Sequence, residues 1–240
     1  MAGMRIITDI SMHTEGLTSG LAELRLMQLV SPALPIGAFT YSQGLEWAVE
    51  SGQLPDQQAV YDWLHGQIED TLTYLDLPIL IRLYQAVQGD DPDGVNYWSG
   101  YLLASRETSE LRQEEINRGR ALGRLLVDLD IKQATRYREA MQLSQSAGFA
   151  LAVVAWQIGL QQTLLGYSWG WLENQVAAAI KLVPLGQTAG QKLQLELAQL
   201  IPQAVELALQ VSDTEIGASA PALAIASSMH ETQYTRLFRS

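Results

Sequence analysis

Histidine and cysteine carry much of enzyme chemistry, and this chain has few of them. It contains three histidines and no cysteine, which excludes thiolate nucleophiles and thiolate metal sites. None of His13, His65 and His230 lies in a recognisable nucleophile motif, although nucleophilic catalysis needs a base held beside its nucleophile. The residue types therefore predict a protein that is not an enzyme.

A metal site is only weakly indicated. His230 and Glu231 form a pair of possible ligands, and nickel accepts imidazole and oxygen donors. Such a pair would need a second copy, as in a dimer whose C-terminal ends meet. An exposed position near the end of the chain accounts for the same residues. We therefore predict no cofactor and no metal site, with His230 as a weak candidate ligand.

A glycine-containing stretch, residues 184–192, has some likeness to a phosphate-binding loop. That pattern needs four residues between its glycines and a lysine directly after the second. Here three residues separate Gly186 from Gly190, and Gln191 stands before Lys192. We therefore predict a helix–loop–helix corner that is offered to a partner, and no nucleotide site.

Charged side chains of both signs are concentrated between residues 106 and 124. Glu114 and Arg118 are four residues apart in the favourable order, which is typical of a solvated helix face. Gly119 and Gly123 lie on the same predicted helix. Because glycine costs about 1 kcal/mol relative to alanine inside a helix, the pair indicates that another helix packs closely there.

The elements that position these residues are predicted to be helices. Apolar residues recur at helical spacing over residues 21–30 and over most of residues 56–211, and runs with strand periodicity are missing. Pro78 is expected to bend or split its helix. The pattern predicts an all-α fold, a single-domain bundle of about ten helices over residues 21–211.

Both ends of the chain are predicted to lie outside this bundle. Residues 1–20 are expected to be a flexible N-terminal segment. Residues 212–240 are expected to form a linker and a flexible, partner-binding C-terminal tail, because residues 212–228 are rich in alanine and serine. We expect that removal of residues 229–240 leaves the helical fold intact.

The composition excludes several classes of protein. Lys and Arg number 15 against 26 Asp and Glu, a net charge of −11, whereas nucleic-acid-binding surfaces are basic. The uncharged run from Ala140 to Leu172 is interrupted by glutamine and serine, so we interpret it as a buried core helix and not as a membrane span. With the lack of cysteine, this predicts a cytoplasmic protein that binds neither nucleic acid nor membrane.

Four motifs occur in order along the chain. They are LVSPALPIGAFTYSQGLE at residues 29–46, the Arg106-Glu107 pair with RGR at 118–120, KLVPLGQTAGQ at 181–191 and HETQYTRLFRS at 230–240. Together they resemble the UreF family of urease accessory proteins, and the likeness extends from about residue 21 to Ser240.

The resemblance implies an all-α scaffold that forms a two-fold homodimer. In that family, UreF binds the accessory protein UreD, also called UreH, and recruits the GTPase UreG. The assembly delivers nickel to apo-urease while UreG hydrolyses GTP.

The resemblance also implies which residues contact partners. The loop that faces UreG would contain Lys181, Pro184, Leu185, Gly186 and Gln187. The residues that order against UreD would be Tyr234, Arg236, Leu237 and Phe238. The signature residues near the dimer or partner surface would be Ser31, Pro32, Pro35, Gly37, Tyr41, Ser42, Gly44 and Glu46.

Two alternatives stay open. The chain could regulate UreG directly, as a GTPase-activating or fidelity factor, if Arg106, Arg112 or Lys181 reached the bound nucleotide. A helical enzyme with its own buried pocket is the less favoured alternative, because ordinary core packing accounts for the aromatic residues that would line it. Those residues are Trp156, Trp169 and Trp171.

Overall fold

A computed structural model describes residues 20–218 and 220–240. Within these ranges the regular elements are helices and there is no strand, so the all-α prediction is confirmed. The flexible segment predicted for residues 1–20, with His13, lies outside the described residues apart from Gly20. The α-helices are α1 (20–30), α2 (Leu45–Glu50), α3 (Gln57–Gln67), α4 (Leu77–Gln88), α5 (Pro92–Ala104), α6 (Ser109–Asp128), α7 (Arg138–Leu143), α8 (Gln145–Ala155), α9 (Leu160–Leu182), α10 (Gln187–Ala198), α11 (Ile201–Ala208) and α12 (Pro221–His230).

A π-helical segment, Ile68–Asp76, joins α3 to α4 without a break. Pro78 is the cause we infer, because proline has no N–H and cannot bond to the carbonyl four residues before it. The carbonyl oxygen of Tyr74, which Pro78 leaves unpaired, accepts a hydrogen bond from the backbone N–H of Gly217 at 2.9 Å. The helix is therefore not split at Pro78: a π-helical segment precedes it, and the carbonyl oxygen of Tyr74 binds a distant loop.

Helix α8 forms the centre of the core. Residues 145–153 are all buried, and α8 packs against α4 and α6. The uncharged run contains this buried helix, as predicted, but it continues into a second helix, α9. The break falls at Gln157, whose φ of 58° ends α8. None of the described helices is long and apolar enough to cross a membrane.

The glycines of α6 sit where α6 meets the junction of α7 and α8. A Cβ atom on Gly119 would lie 2.5 Å from the carbonyl oxygen of Met141 and 2.8 Å from the carbonyl carbon of Ser144. The close packing predicted for this face of α6 is confirmed.

Helix α1 uses one side for packing and exposes the other. Leu26 lies against Gly166 and Val30 against Gly170, both on α9. The predicted apolar stripe of α1 is thus only partly a core face. Three of its members are exposed: Leu21, Leu24 and Met27.

The segment after α11 differs from the prediction of a mobile linker. Arg82 donates hydrogen bonds to the carbonyl oxygen of Val211 at 2.6 Å and to Asp213 at 2.8 Å. The hydroxyl of Tyr101 donates to the carbonyl oxygen of Ile216 at 2.8 Å. Helix α12 follows from Pro221, and alanine-rich sequence after an N-terminal proline favours helix. The structure therefore has an anchored loop and a helix where the sequence predicts a linker.

Candidate functional site

The polar site of this fold lies where the turn before α2 meets α12. Gly44 precedes α2 with φ of +79°, a left-handed conformation that favours glycine. A Cβ atom on Gly44 would lie 2.9 Å from the backbone nitrogen of Ser227 and 3.1 Å from the Cβ of Ala226. Glycine at this position therefore lets the backbone of α12 rest directly on the turn.

Glu46, in the first turn of α2, binds the C-terminal segment, which we define as residues 231–240. Its carboxylate is buried and accepts hydrogen bonds from the backbone N–H groups of Leu237 at 2.6 Å and Phe238 at 2.8 Å. The same carboxylate lies 3.1 Å from Nε2 of His230. Hydrogen bonds to an ionised acceptor are about twice as strong as neutral ones, so Glu46 is a strong anchor for this segment.

His230 lies fully buried between two carboxylates. Its Nδ1 atom is 2.7 Å from Glu110, and its Nε2 atom faces Glu46. Arg236 donates to the other oxygen of Glu110 at 2.7 Å. Both ring nitrogens therefore lie within hydrogen-bonding distance of a carboxylate. The expectation of an exposed His230 is wrong, because α12 carries the ring into the interior.

The last residues of the segment reach the interior as well. The carbonyl oxygen of Ser240 accepts hydrogen bonds from the backbone N–H of Ser42 at 2.7 Å and from its hydroxyl at 2.5 Å. The hydroxyl of Ser240 donates to Glu114 at 3.2 Å. Phe238 is buried beneath Lys181, whose Nζ lies 5.5 Å from the ring centroid. The C-terminal segment is therefore docked along its length on its own chain.

A buried ion network continues inward from Glu114. Glu114 pairs with Arg118 at 2.7 Å, and Arg106 pairs with Asp76 at 2.5 Å and with Glu115 at 3.0 Å. Each of these side chains is no more than 17% exposed. Isolated charges at this depth would cost several kcal/mol each, so the pairs depend on one another.

The pKa values in this network follow from burial and from the neighbouring charges. Burial raises the pKa of Asp76 even though the charge of Arg106 acts in the opposite direction. Burial tends to lower the pKa of Arg106, but Asp76 and Glu115 outweigh it and hold that pKa well above its usual value. Burial also raises the pKa of Tyr167, which therefore stays a neutral phenol.

A cavity of about 80 Å³ adjoins the network. Two polar atoms that line it have no partner among the described residues, Nε2 of Gln67 and Nε of Arg118. Trp171 borders the same cavity and donates to Gln43 at 3.1 Å. Such a space is suited to bridging water.

The tryptophans proposed to line an enzyme pocket lie in different environments. Trp169 is 40% exposed, and Trp156 packs beneath Arg25, whose guanidinium lies 5.8 Å from the ring. Trp171 alone of the three borders the cavity beside the ion network. The three side chains do not form one pocket.

The loop between α9 and α10 is presented at the surface next to the docked segment. Lys181, Pro184, Gly186 and Gln187 are exposed, and Leu185 is half-buried. The contact between Lys181 and Phe238 joins this loop to the C-terminal segment.

Comparison with known proteins gives a consistent result over nearly the whole chain. The UreF family model matches residues 54–198. A urease accessory protein UreF from Pseudomonas putida W619 is 52% identical over 93% of this chain and 100% of its own length. The chain belongs to the UreF family. Proteins of the same name from Alkalilimnicola ehrlichii and Hahella chejuensis are 52% and 45% identical, over 92% of this chain in both cases and 97% and 99% of their own lengths.

The UreF signature at residues 31–46 divides into two parts in the structure. Pro32 and Pro35 are exposed, and Ser31 and Gly37 are half-buried. The later members face inward and hold the protein's own C-terminal segment or the core. They are Tyr41, Ser42, Gly44 and Glu46.

The four C-terminal residues that the resemblance assigns to a UreD-type partner differ in their exposure to solvent. Tyr234 and Leu237 are exposed, at 103% and 66%. The side chain of Arg236 is 40% exposed and bound to Glu110. Phe238 is buried at 6%. Only Tyr234 and Leu237 are therefore free to serve as apolar anchors for a partner in this conformation.

The three residues considered as possible contacts to the nucleotide of UreG differ in whether their side chains are free. Arg106 is held by Asp76 and Glu115 in the interior and is not free to extend. Arg112 and Lys181 are exposed.

Sequence reasoning missed the partners that make the site. The sequence predicts that Glu110 and Glu114 belong to a solvated helix face. In the structure they bind His230 and Ser240 from the far end of the chain. The local signal for Glu110, an acidic residue in the first turn of a helix, also fits a simple dipole contact. Nothing local connects it to a residue 120 positions away.

Proposed function

We propose that this chain is a urease accessory protein that acts as a non-catalytic cytoplasmic scaffold. It bridges a UreD-type protein and the GTPase UreG, and nickel is the cargo that the assembly delivers to apo-urease. The observation that carries the proposal is membership of the UreF family, with relatives named urease accessory protein over 93% of the chain. The lack of a metal-binding cluster in the described residues is compatible with a scaffold.

The C-terminal surface has the character of a partner site for UreD. Leu237 projects from a backbone that Glu46 fixes, and Tyr234 is exposed three residues before it. The exposed face of α12 adds Ile225 and Met229, which are 58% and 46% exposed. Exposed apolar and aromatic side chains on a fixed backbone are typical of interface anchors.

The exposed loop from Lys181 to Gln187 is the surface we assign to UreG. Its backbone is fixed on both sides, because α9 ends at Leu182 and α10 begins at Gln187. Gly190 packs against Ile180 and holds the two helices close together. A preorganised loop loses little entropy when it binds.

We also propose that the chain forms a homodimer. Leu24 and Met27 of α1 and Phe39 of the following turn are exposed at 64%, 65% and 57%. Apolar surface of this kind suits a self-complementary two-fold interface.

The test is size-exclusion chromatography with light scattering of the chain alone and mixed with UreD and UreG. We expect a dimer alone and a complex with two copies of each protein. Tyr234→Ala with Leu237→Ala should remove UreD, and Lys181→Ala with Gln187→Ala should remove UreG. Leu195→Ala is the matched control, because Leu195 is 69% exposed on α10. A chain that binds neither partner contradicts the proposal.

Direct stimulation of UreG is a second candidate function, favoured by the exposure of Lys181 and Arg112. GTP turnover by UreG should be compared in complexes that contain the wild type, Lys181→Ala or Arg112→Ala. Complexes that form normally but lose turnover support a direct role, and unchanged turnover excludes it.

A further inference from the structure

Three arginines line one open groove on the surface of α6 and α7. Arg120 and Arg124 lie on α6, and Arg138 is the first residue of α7. The groove has a volume of about 530 Å³. All three arginines are exposed, and Val127, whose side chain is 53% exposed, also lines the groove.

These arginines have no carboxylate partner among the residues that the structure describes. Asp128 is the one acidic side chain that lines the groove, and it forms no ion pair with them. Other arginines of the chain do pair with carboxylates, namely Arg82, Arg106, Arg118, Arg136 and Arg236. The groove is thus positive on a chain whose net charge is −11.

We propose that this groove binds an acidic peptide segment of a partner protein. A guanidinium group forms two parallel hydrogen bonds to a carboxylate. Arg120 and Arg124 are one helical turn apart, which separates their Cβ atoms by about 6 Å, and Arg138 approaches from α7. Carboxylates spaced along a peptide meet this arrangement, and the exposed side chain of Val127 offers contact for its aliphatic carbons.

Other anionic ligands fit less well. A duplex nucleic acid needs a wide basic footprint, and the net charge of −11 opposes it. The groove is open to solvent, whereas small-ligand sites are typically concave pockets that enclose most of the ligand surface.

The groove is separate from the C-terminal site. Arg124 follows Glu110 by fourteen residues on the same helix, which places it about 21 Å further along the axis. Groove variants should therefore leave the docked segment and the proposed UreD and UreG surfaces intact. The inference stands independently of the proposed function.

The test is fluorescence polarisation of the full-length chain with a fluorescein-labelled oligoglutamate peptide at low ionic strength. We expect saturable binding that weakens as salt is added. Arg120→Ala, Arg124→Ala and Arg138→Ala combined should weaken binding by about tenfold, because each exposed arginine–carboxylate pair contributes modestly. A labelled oligolysine peptide is attracted by the acidic remainder of the chain, and its binding should not weaken in the triple variant.

The matched control removes the same amount of charge elsewhere, with Arg112→Ala, Lys192→Ala and Arg239→Ala combined. These three side chains are also exposed. Circular dichroism and thermal melting establish that both triple variants fold. Absence of peptide binding, or an equal loss in both triple variants, overturns the proposal. Displacement of the peptide by inorganic phosphate at equal charge concentration would indicate a small-anion site and overturn it as well.

Discussion

The ammonium group of Lys181 lies 5.5 Å from the centroid of the Phe238 ring. This contact joins the loop that we assign to UreG with the segment that we assign to UreD. Phe238 is buried because Glu46 holds its backbone N–H and Lys181 covers its ring. A change in how residues 231–240 are docked must therefore alter the surroundings of Lys181.

Replacing Glu46 by alanine should release the C-terminal segment. Two backbone N–H groups and His230 would lose their partner, and a buried donor left without its acceptor costs about 1–3 kcal/mol of unfolding free energy. Urea denaturation measures that loss. Hydrogen exchange of the Leu237 and Phe238 amides should accelerate in parallel.

Glu50→Ala is the control for this experiment. Glu50 lies on the same helix and accepts a hydrogen bond from Gln233, but both side chains of this pair are at the surface. Its loss should change stability by no more than about 0.5 kcal/mol. Unchanged exchange at Leu237 and Phe238 in the Glu46 variant would show that Glu46 does not anchor the segment.

Gly44→Ala should destabilise the fold more than Gly52→Ala. Both glycines have φ of +79°, and an L-residue in that conformation costs about 1–2 kcal/mol. A Cβ on Gly52 has no atom within 4 Å, whereas one on Gly44 would lie 2.9 Å from the backbone nitrogen of Ser227. The difference in urea stability between the two variants isolates the contact with α12. Equal losses would mean that α12 does not rest on the turn.

Deletion of residues 231–240 should destabilise the folded protein. The sequence predicts a separable tail, but the structure places Phe238 and Ser240 in the interior against Lys181, Ser42 and Glu114. Removing them exposes the carboxylates of Glu46 and Glu114. In a domain of this size, each kcal/mol lost lowers the melting temperature by about 2–4 °C. An unchanged melting temperature would restore the prediction of an independent tail.

The helices could be predicted from the sequence and the site could not, because helices depend on residues close together in the chain and the site on residues far apart. Helices such as α8 are set by local periodicity, so the all-α fold is predictable from one sequence. The site joins residues that lie far apart in the chain, as with Glu46 and His230, which are 184 positions apart. Local patterns carry no information about such pairs.

The prediction of a linker at α12 was wrong for a different reason. Its alanine-rich sequence is typical of linkers, but alanine is also the best helix former. Pro221 at the first position is a helix-start signal that was available in the sequence. Buried contacts decide between the two readings: Ser227 bonds to Thr108 at 2.7 Å, and His230 reaches Glu110.

Replacing Arg106 by methionine should destabilise the protein in a pH-dependent way. Asp76 and Glu115 would remain buried without their common cation, at a cost of about 3–5 kcal/mol near neutral pH. Burial already raises the pKa of Asp76 above 3.8 while Arg106 opposes the rise, so removing Arg106 raises it further. A carboxyl group whose folded pKa is raised favours folding at low pH, and that contribution is lost as pH rises through the folded pKa.

The deficit of Arg106→Met relative to wild type should therefore be smallest near pH 4 and grow toward pH 7, in urea titrations at several pH values. Arg82→Met is the control, because the carboxylate of its partner Asp213 is 66% exposed and can be solvated when the cation is lost. That variant should show a small deficit that changes little over the same range. A deficit for Arg106→Met that shrinks as pH rises would contradict the assignment of Arg106 as the cation that opposes the rise in the pKa of Asp76.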